Sequence, residues 1–354
     1  MPRGRTCVIR FDAAKLSELM ANELARQNVT SDSARHVVAS LIQTSLRGVD
    51  SHGINLFPHY CRGVVAGRVN PRPNIHVSRG GASTAMVDAD HAFGHHAGAV
   101  AMEEAMALAR QSGMGAASVR NSTHFAAAAY FGLMAAECDF LGFAFTNADA
   151  LVKAFGAKEA FFGTNPICFT APLHDEGPYC LDMATSLVSW NRINNFRREK
   201  RNIPEHWGFD ADGHSVTDPG KATSLNPAGG YKGYGLGMMV EVLCAILAGG
   251  PIGKDIPPMY TLPLGSNKRR VSHFFAALDI SRFVEPAVFR KNLQAVVDRV
   301  RSMPPLSDGG AVMVAGDPEK ISLARRTNEG IPIHDAQYSE FLELNREFQG
   351  ALLA

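Results

Sequence analysis

The spacing of apolar residues changes near residue 73, and this change divides the chain into two parts. Before it, apolar positions recur with a helical period over residues 11–25, 33–48 and 54–65. The segment from Arg68 to Pro73 contains two prolines and interrupts that period. We therefore predict a small helical unit over residues 1–73.

Beyond residue 73, short apolar runs alternate with longer helical patterns. The short runs predict strands at residues 75–77, 84–87, 115–119, 141–146, 167–171, 180–183 and 274–280. Helical spacing or alanine-rich composition predicts helices at residues 96–112, 124–136, 234–247, 286–303 and 336–353. Asp210 to Gly213 predicts a hairpin turn. Strands that alternate with helices indicate a mixed α/β fold.

Composition and charge exclude several classes of protein. The 354 residues carry 35 Lys and Arg against 34 Asp and Glu, so the basic excess expected of a nucleic-acid binder is missing. No apolar run approaches the roughly 18 residues needed to span a membrane, and no apolar segment follows the basic residues at the start. The six cysteines form no Cys-x-x-Cys pair. We therefore expect a soluble, cytoplasmic protein with neither nucleic-acid nor membrane partners.

One candidate site lies where the second predicted helix ends. The segment from Arg47 to Gly53 places His52 beside Ser51, which follows Asp50. A histidine beside a hydroxyl and a carboxylate can donate or accept a proton near neutral pH. The same residues could instead end one helix at Gly48 and cap the next one, so both interpretations stay open.

Three further segments combine polar residues with a turn or a helix start. His124 lies between a predicted strand and a predicted helix, where free backbone N–H groups suit a phosphate or an ordinary helix cap. Lys232 precedes a glycine-rich helix start that could cradle a phosphate. The segments 163–166 and 181–186 could form functional loops or simple turns.

Several familiar site signatures are missing from the sequence. The segment around Lys232 is not a Walker A loop, and the glycines at 113 and 115 lack the third glycine of a Rossmann fingerprint. No Gly-x-Ser-x-Gly elbow is present. The histidine cluster has no acidic or cysteine partner at a matching metal-ligand spacing, so we expect no metal site at His91, His95 and His96.

Taken together, the motifs resemble those of one family. In chain order the matching segments are Arg47–Gly53, Ser122–Phe125, Phe162–Pro166, Leu181–Thr185, Lys232–Leu236 and Val314–Pro318. In these segments the sequence resembles the malate/L-lactate dehydrogenase family, which is unrelated to the Rossmann-type lactate dehydrogenases. That family includes ureidoglycolate dehydrogenase, sulfolactate dehydrogenase, diketogulonate reductase and the Δ1-piperideine-2-carboxylate reductases.

The resemblance implies roles for individual residues. The catalytic residues it implies are His52, His124 and the supporting Ser51. The substrate-binding residues are Arg47, His59, Tyr60 and Thr164. The cofactor-binding residues are His124, Asp182, Met183, Ala184, Lys232, Gly316, Asp317 and Pro318. Which of the two histidines moves the proton stays open.

The resemblance also implies a fold and an activity. It implies a non-Rossmann, sulfolactate-dehydrogenase-like fold, in which NAD or NADP lies on a large mixed sheet, and a homodimer. Residues 1–73, joined by 320–354, would form the helical domain; 74–220 with 265–319 would form the cofactor-binding domain; 221–264 would be a helical insertion. The implied activity is hydride transfer to or from a small 2-hydroxy or 2-oxo acid of malate, lactate or ureidoglycolate type. There are two alternatives: the protein reduces a cyclic imino acid with NADPH, or it is a homologue that has lost catalysis.

One position departs from the family pattern. Many members have an arginine four residues after the histidine of Ser-His-Gly, where it can clamp the substrate carboxylate. Here that position is Leu56, and His59 occupies the position three residues further on. Leucine cannot bind a carboxylate. Either Arg47, His59 or another cation binds the substrate carboxylate instead, or the substrate lacks a carboxylate at that position.

Overall fold

The computed structural model describes residues 8–260, 265, 267–348, 350 and 352. Its helices are α1 (Ala13–Arg26), α2 (Ser31–Leu46), α3 (Phe57–Val65), α4 (Gly94–Ser112), α5 (Ala129–Ala136), α6 (Trp190–Arg198), α7 (Tyr231–Glu241), α8 (Pro286–Arg301), α9 (Asp317–Glu329) and α10 (Asp335–Phe348). A 3₁₀ turn at Ile54–Leu56 precedes α3, and a π-helical turn at Val242–Ile246 continues α7. Within the described residues, no helix is both long enough and apolar enough to cross a membrane.

Three sheets accompany these helices. The strands are β1 (Val8–Phe11), β2 (His76–Arg79), β3 (Thr84–Asp88), β4 (Met114–Ser122), β5 (Phe140–Thr146), β6 (Val152–Lys153), β7 (Ala160–Phe162), β8 (Ile167–Ala171), β9 (Tyr179–Met183), β10 (Gly208–Phe209), β11 (Ser215–Val216), β12 (Ser224–Leu225), β13 (Val271–Asp279) and β14 (Ile331–His334). The largest sheet has the order β2-β3-β4-β13-β5-β8-β9, and a smaller one has the order β11-β10-β12-β6-β7. The mixed α/β architecture predicted from the sequence is therefore confirmed.

The seven-stranded sheet is the platform of the molecule. Only β3 and β4 run parallel, and β13 enters from late in the chain to lie between β4 and β5. Helices α4 and α5 cover one face, where Phe131 and Phe275 are completely buried. Close packing requires a glycine on α4, because a Cβ atom at Gly98 would lie 2.6 Å from the Phe131 ring. On the opposite face Phe143 and Phe274 are only partly buried, so that face is incompletely covered.

The first and last parts of the chain share a second core. Leu16, Leu41 and Phe57 pack with Ile331 and Phe341 in one buried cluster. Strand β1 pairs antiparallel with β14, so the chain's beginning and end are also joined by backbone hydrogen bonds. The division into three domains stays a prediction, but this shared core is consistent with joining residues 320–354 to the first unit.

The structure corrects the prediction of a helix that begins at His124. Helix α5 begins only at Ala129, and residues 123–128 form a loop in which Ala126 has a φ of +63°. An alanine-rich sequence favours helix locally, but tertiary contacts override that propensity here. His124 therefore lies in a loop rather than in the first turn of a helix.

Other differences concern short elements. The sequence analysis missed β1, α9 and β14, and within residues 191–224 it predicted only the hairpin turn. That region contains α6 and three two-residue strands around a small core with Ile193 and Leu225. The predicted hairpin turn at Asp210 to Gly213 is confirmed between β10 and β11.

Arg326 of α9 anchors the loop after α2. Its guanidinium donates to the Ser45 carbonyl oxygen at 2.6 Å and to both Asp50 carboxylate oxygens at 2.5 and 2.9 Å, while the residue is only 7% exposed. We expect Arg326→Met to lower the free energy of unfolding by about 2 kcal/mol, because a buried carbonyl and a carboxylate lose their donors. Urea unfolding would measure this loss.

The neighbouring Arg325 is exposed and provides the matched control. Arg325→Met should change the free energy of unfolding by no more than about 0.5 kcal/mol. Equal losses in the two variants would show that Arg326 does not anchor the loop.

Candidate active site

A cavity of about 860 Å³ lies where the helical unit, the large sheet and the small sheet meet. Its wall is formed by the end of α2 with the following loop, the loop before α5, the end of β9, the start of α6, and residues 258–260 and 313–319. Most of these segments are loops held by the sheets and helices, an arrangement typical of binding and catalytic sites.

The cavity collects most of the residues predicted from the sequence. Those that line it are Arg47, Ser51, His52, His124, Thr164, Asp182, Ala184, Gly316 and Pro318. Five others do not line it: His59, Tyr60, Met183, Lys232 and Asp317. Segments more than 250 residues apart in sequence therefore contribute to one cavity.

His52 and His124 face each other in this cavity. Their rings are nearly parallel, with centroids 5.8 Å apart and an interplanar angle of 28°. The Ser51 hydroxyl lies 2.9 Å from His52 Nδ1 and fixes that ring from one side. The two imidazoles together with the hydroxyl therefore form a compact acid–base group.

The contacts of His124 determine where its proton lies. The Ala126 backbone N–H donates to His124 Nδ1 at 3.3 Å, so this nitrogen is an acceptor. The Tyr60 hydroxyl, 2.7 Å from the same nitrogen, then donates as well, and burial keeps it protonated by raising the pKa of Tyr60. The neutral imidazole of His124 consequently carries its hydrogen on Nε2. Nε2–H is available to donate to a bound molecule.

Burial keeps both imidazoles neutral. Desolvation lowers the pKa of His52 to about 4, because the charged form loses its hydration. Desolvation also lowers the pKa of His124 well below its usual value, and the charges of His52 and Arg269 add to this effect. At neutral pH the pair is therefore uncharged and can accept a proton or donate a hydrogen bond.

Backbone contacts position the loop that carries His52. The Ser45 hydroxyl accepts from the Ile54 N–H at 2.9 Å, and Asn191 Nδ2 of α6 donates to the Ser51 carbonyl oxygen at 3.1 Å. Gly53 is required by this packing, because a Cβ atom there would lie 2.1 Å from Ser45 Oγ. The loop is thus held between α2 and α6.

A second network positions Thr164. The Thr185 N–H and hydroxyl both donate to the Thr164 carbonyl oxygen, at 2.9 and 3.0 Å. The next residue, Asn165, donates from Nδ2 to the Glu241 carboxylate at 2.8 Å, and Asn147 does the same at 3.1 Å. Glu241 is 3% exposed and is the last residue of α7 before its π-helical turn, a feature frequent at functional sites. Helix α7 is therefore coupled to the cavity wall although Lys232 is not part of it.

Arg47 and Asp182 bring opposite charges to another part of the cavity. Asp182 accepts the Ala129 N–H at the start of α5 at 2.8 Å, while burial raises its pKa to about 6. Arg47, 7% exposed, is close enough for its charge to lower the pKa of Asp182. Within the described residues the Arg47 guanidinium has no hydrogen bond or ion pair. It is a buried cation that faces the cavity without a partner.

The five predicted residues outside the cavity take other positions. Tyr60 and His59 lie behind the histidine pair, and Lys232 and Met183 are exposed. The Asp317 carboxylate binds Arg301 at 2.6 and 3.0 Å and the Val314 N–H at 3.0 Å, so it stabilises the loop that presents Gly316. The cofactor and substrate roles implied for these residues stay predictions.

Sequence analysis missed part of the wall near the histidines. Asp149, Asn191, Met259 and Tyr260 line the cavity, and Asp149 forms a buried ion pair with Arg269. Asp149 and Arg269 are 120 residues apart, and no local motif connects them.

Comparison with known proteins places the chain in one family. The sequence model of the family described as malate/L-lactate dehydrogenase matches residues 11–342. Malate dehydrogenase from Pyrococcus horikoshii is 34% identical, covering 95% of this chain and 94% of that protein. The NAD(+) ureidoglycolate dehydrogenase from Escherichia coli is 31% identical, covering 93% of this chain and 94% of that protein. The crystal structure of malate dehydrogenase from Entamoeba histolytica superposes with a TM-score of 0.92 at 28% identity, covering 98% of this chain and 99% of that one.

The chain belongs to the malate/L-lactate dehydrogenase family. The match covers most of the chain, so the family resemblance predicted from the motifs is confirmed. Membership also accounts for the missing Rossmann fingerprint, because members of this malate/L-lactate dehydrogenase family share the present fold rather than a Rossmann unit. Leu56 is buried in the core of the helical unit.

The low pKa of His52 predicts how stability depends on pH. In the unfolded chain a histidine binds a proton near its ordinary pKa of 6.5, whereas folded His52 does so only near pH 4. Stability therefore falls as pH drops from about 6.5 towards 4, because the unfolded state takes up the proton first. We expect His52→Gln to reduce the loss of unfolding free energy between pH 7.5 and 4.5 by on the order of 2 kcal/mol.

Urea unfolding at the two pH values checks this expectation. His334→Gln, at an exposed position, is the matched control and should show the same loss as the parent protein. If His52→Gln also showed the parent loss, His52 would not be held neutral in the folded state.

Proposed function

We propose that the protein is a nicotinamide-dependent oxidoreductase that interconverts a small 2-hydroxy acid and its 2-oxo acid. The observation that supports this most directly is the neutral pair His52 and His124 inside a cavity that also contains an unpaired buried cation. Relatives named as malate and ureidoglycolate dehydrogenases support the same reaction class.

The chemistry of the cavity suits a dinucleotide. Arg47, buried and without an ion-pair partner among the described residues, is available to the anionic phosphates of NAD or NADP. Carboxylates at Asp182 and Glu319 also line the cavity and could accept hydrogen bonds from ribose hydroxyls. We assign Arg47 to the cofactor rather than to the substrate, because its charge acts on Asp182, a carboxylate that could bind the ribose hydroxyls.

The bound nicotinamide supplies the hydride chemistry. His52 acts as the proton acceptor for the substrate hydroxyl, with its ring oriented by Ser51. His124 donates from Nε2–H to the substrate oxygen, because Tyr60 and Ala126 occupy Nδ1. A substrate carboxylate in the cavity would raise the pKa of His52 towards neutrality, since a nearby negative charge favours the imidazolium. In the reverse direction His52 then returns the proton.

We also propose a homodimer in the cytoplasm. The incompletely covered face of the large sheet carries Phe143 and Phe274, and Val242 and Ile246 of the adjoining π-helical turn are exposed. Exposed apolar side chains of this kind are typical of subunit interfaces. Five cysteines of the described residues are free thiols, which suits a reducing compartment.

Cofactor binding and turnover test the proposal. We expect the protein to quench NADH or NADPH fluorescence and to gain thermal stability with cofactor. His52→Ala should bind the cofactor with unchanged affinity but lose roughly 100-fold or more in kcat, because general base catalysis is removed. His124→Ala should raise KM as well as lower kcat, because the His124 side chain contacts the substrate oxygen both in the bound ground state and in the transition state.

His174→Ala, an exposed histidine outside the cavity, is the control for these two variants. Full turnover in both His52→Ala and His124→Ala would contradict the proton-transfer assignment. Absence of any binding of NADH and NADPH would contradict the proposed function itself.

Charge on the exposed apolar face should break the dimer. The double variant Val242→Glu with Ile246→Glu places two carboxylates on that face, and we expect light scattering to report the mass of a monomer. Val65→Glu alters an equally exposed valine at the end of α3 and should leave the dimer intact. A dimer that survives the double variant, or a monomeric parent protein, would contradict this assignment.

A further inference from the structure

The wall beside the two histidines is largely apolar. Leu151, Trp190, Met259 and Tyr260 line the cavity. Two contacts place Trp190 and Tyr260 near the histidines: Asn191, next to Trp190, donates to the Ser51 carbonyl oxygen at 3.1 Å, and the Tyr260 ring lies 5.5 Å from that of His59. Met259 precedes Tyr260 and its N–H binds Asp149, which lies two residues before Leu151. These side chains would surround the substituent of a substrate whose reacting oxygen lies between the histidines.

The charged groups in this wall and behind it are already paired. The Asp149 carboxylate binds Arg269 and accepts the Met259 N–H at 3.2 Å. The Arg68 guanidinium donates to the carbonyl oxygens of Pro258 and Met259 at 3.0 and 3.3 Å. Neither arginine lines the cavity. Both arginines therefore bind the wall segment 257–260 and are not free for a ligand.

No other described side chain supplies a free positive charge beside the histidines. Burial and nearby arginines lower the pKa of His59 to about 3, so it is neutral, and His52 is neutral as well. Leu56 stands where many family members have arginine and is buried in the helical core. Arg47 is the one cation among the described lining residues, and its charge acts at Asp182.

Resting on the function proposed above, we propose that the substrate carries a single carboxylate next to its reacting C=O or C=N bond and a bulky apolar body. A second carboxylate would enter an apolar wall without a partner, and burying an unpaired charge is costly. An apolar body would instead gain by burial against Leu151, Trp190 and Met259. Branched-chain and aromatic 2-oxo acids meet this description, and so does a cyclic imino acid.

The experiment measures kcat/KM of the full-length protein with NADH and with NADPH on five substrates. These are phenylpyruvate, 4-methyl-2-oxopentanoate, pyruvate, oxaloacetate and Δ1-piperideine-2-carboxylate. We expect the best bulky monocarboxylate to exceed both pyruvate and oxaloacetate at least tenfold. Comparison of kcat/KM for the oxo acids with kcat/KM for the imino acid then shows whether the reacting bond is C=O or C=N. Either result supports the proposed class.

A charge-insertion variant tests the reason for the preference. Leu151→Arg adds a cation to the apolar wall and should increase the ratio of kcat/KM for oxaloacetate over phenylpyruvate at least tenfold. Leu306→Arg adds the same charge at an exposed residue outside the cavity and should leave the ratio unchanged. Each variant should still quench the fluorescence of NADH or NADPH, which confirms that it is folded and binds the cofactor.

Two results would overturn the inference while leaving the proposed function standing. One is oxaloacetate or pyruvate as the best substrate of the parent protein. The other is a Leu151→Arg variant that binds cofactor but keeps the parent ratio. Absence of turnover on all five substrates would instead overturn the proposed function, and the inference with it.

Discussion

The hydrogen bond between the Tyr60 hydroxyl and His124 joins the helical unit to the large sheet, and the candidate site depends on it. Tyr60 belongs to α3 of the helical unit, whereas His124 follows β4 of the sheet. This bond fixes the tautomer of His124 and sets the side of the ring that faces His52. The two halves of the acid–base pair come from different parts of the fold, so the pair exists only when both parts are packed together.

Exclusion of water gives the site its chemical character. Burial lowers the pKa values of His52 and His124, so neither carries a charge before a ligand arrives. With a net charge of only +1, the protein offers no general attraction for anions. Local groups must therefore supply it, and Arg47 is the buried cation that remains unpaired among the described lining residues. One cation in a mostly apolar cavity limits how much negative charge a cofactor and a substrate can bring together.

The sequence correctly predicted those features of the structure that depend on local patterns. Strand β8 was predicted with its observed ends, Ile167 and Ala171, because its apolar run is bounded by turn residues. The motif around His52 was identified because its residues are adjacent. The helix at His124 was wrong because alanine content favours helix locally, whereas the contact with Tyr60 and the positive φ of Ala126 depend on residues far away.

The pairing of Asp149 with Arg269 could not be predicted for the same reason, since 120 residues separate the partners. The small sheet was missed because two-residue strands such as β10 leave no periodic pattern to detect. Burial also could not be predicted from the sequence. That Arg47 has no partner among the described residues, and that Lys232 lies outside the cavity, depend on how distant segments pack together.

The central assignment is a hydride transfer between the cofactor and the substrate carbon, with His52 and His124 acting on the substrate oxygen. Isotope transfer from the cofactor tests this assignment most directly. The reduced cofactor is deuterated at C4 of the nicotinamide, and the product is analysed by mass spectrometry. We expect a 2-hydroxy acid or cyclic amino acid that carries the deuterium on the carbon beside the carboxylate. An unlabelled product, or no cofactor-dependent product from any of these acids, would contradict the assignment.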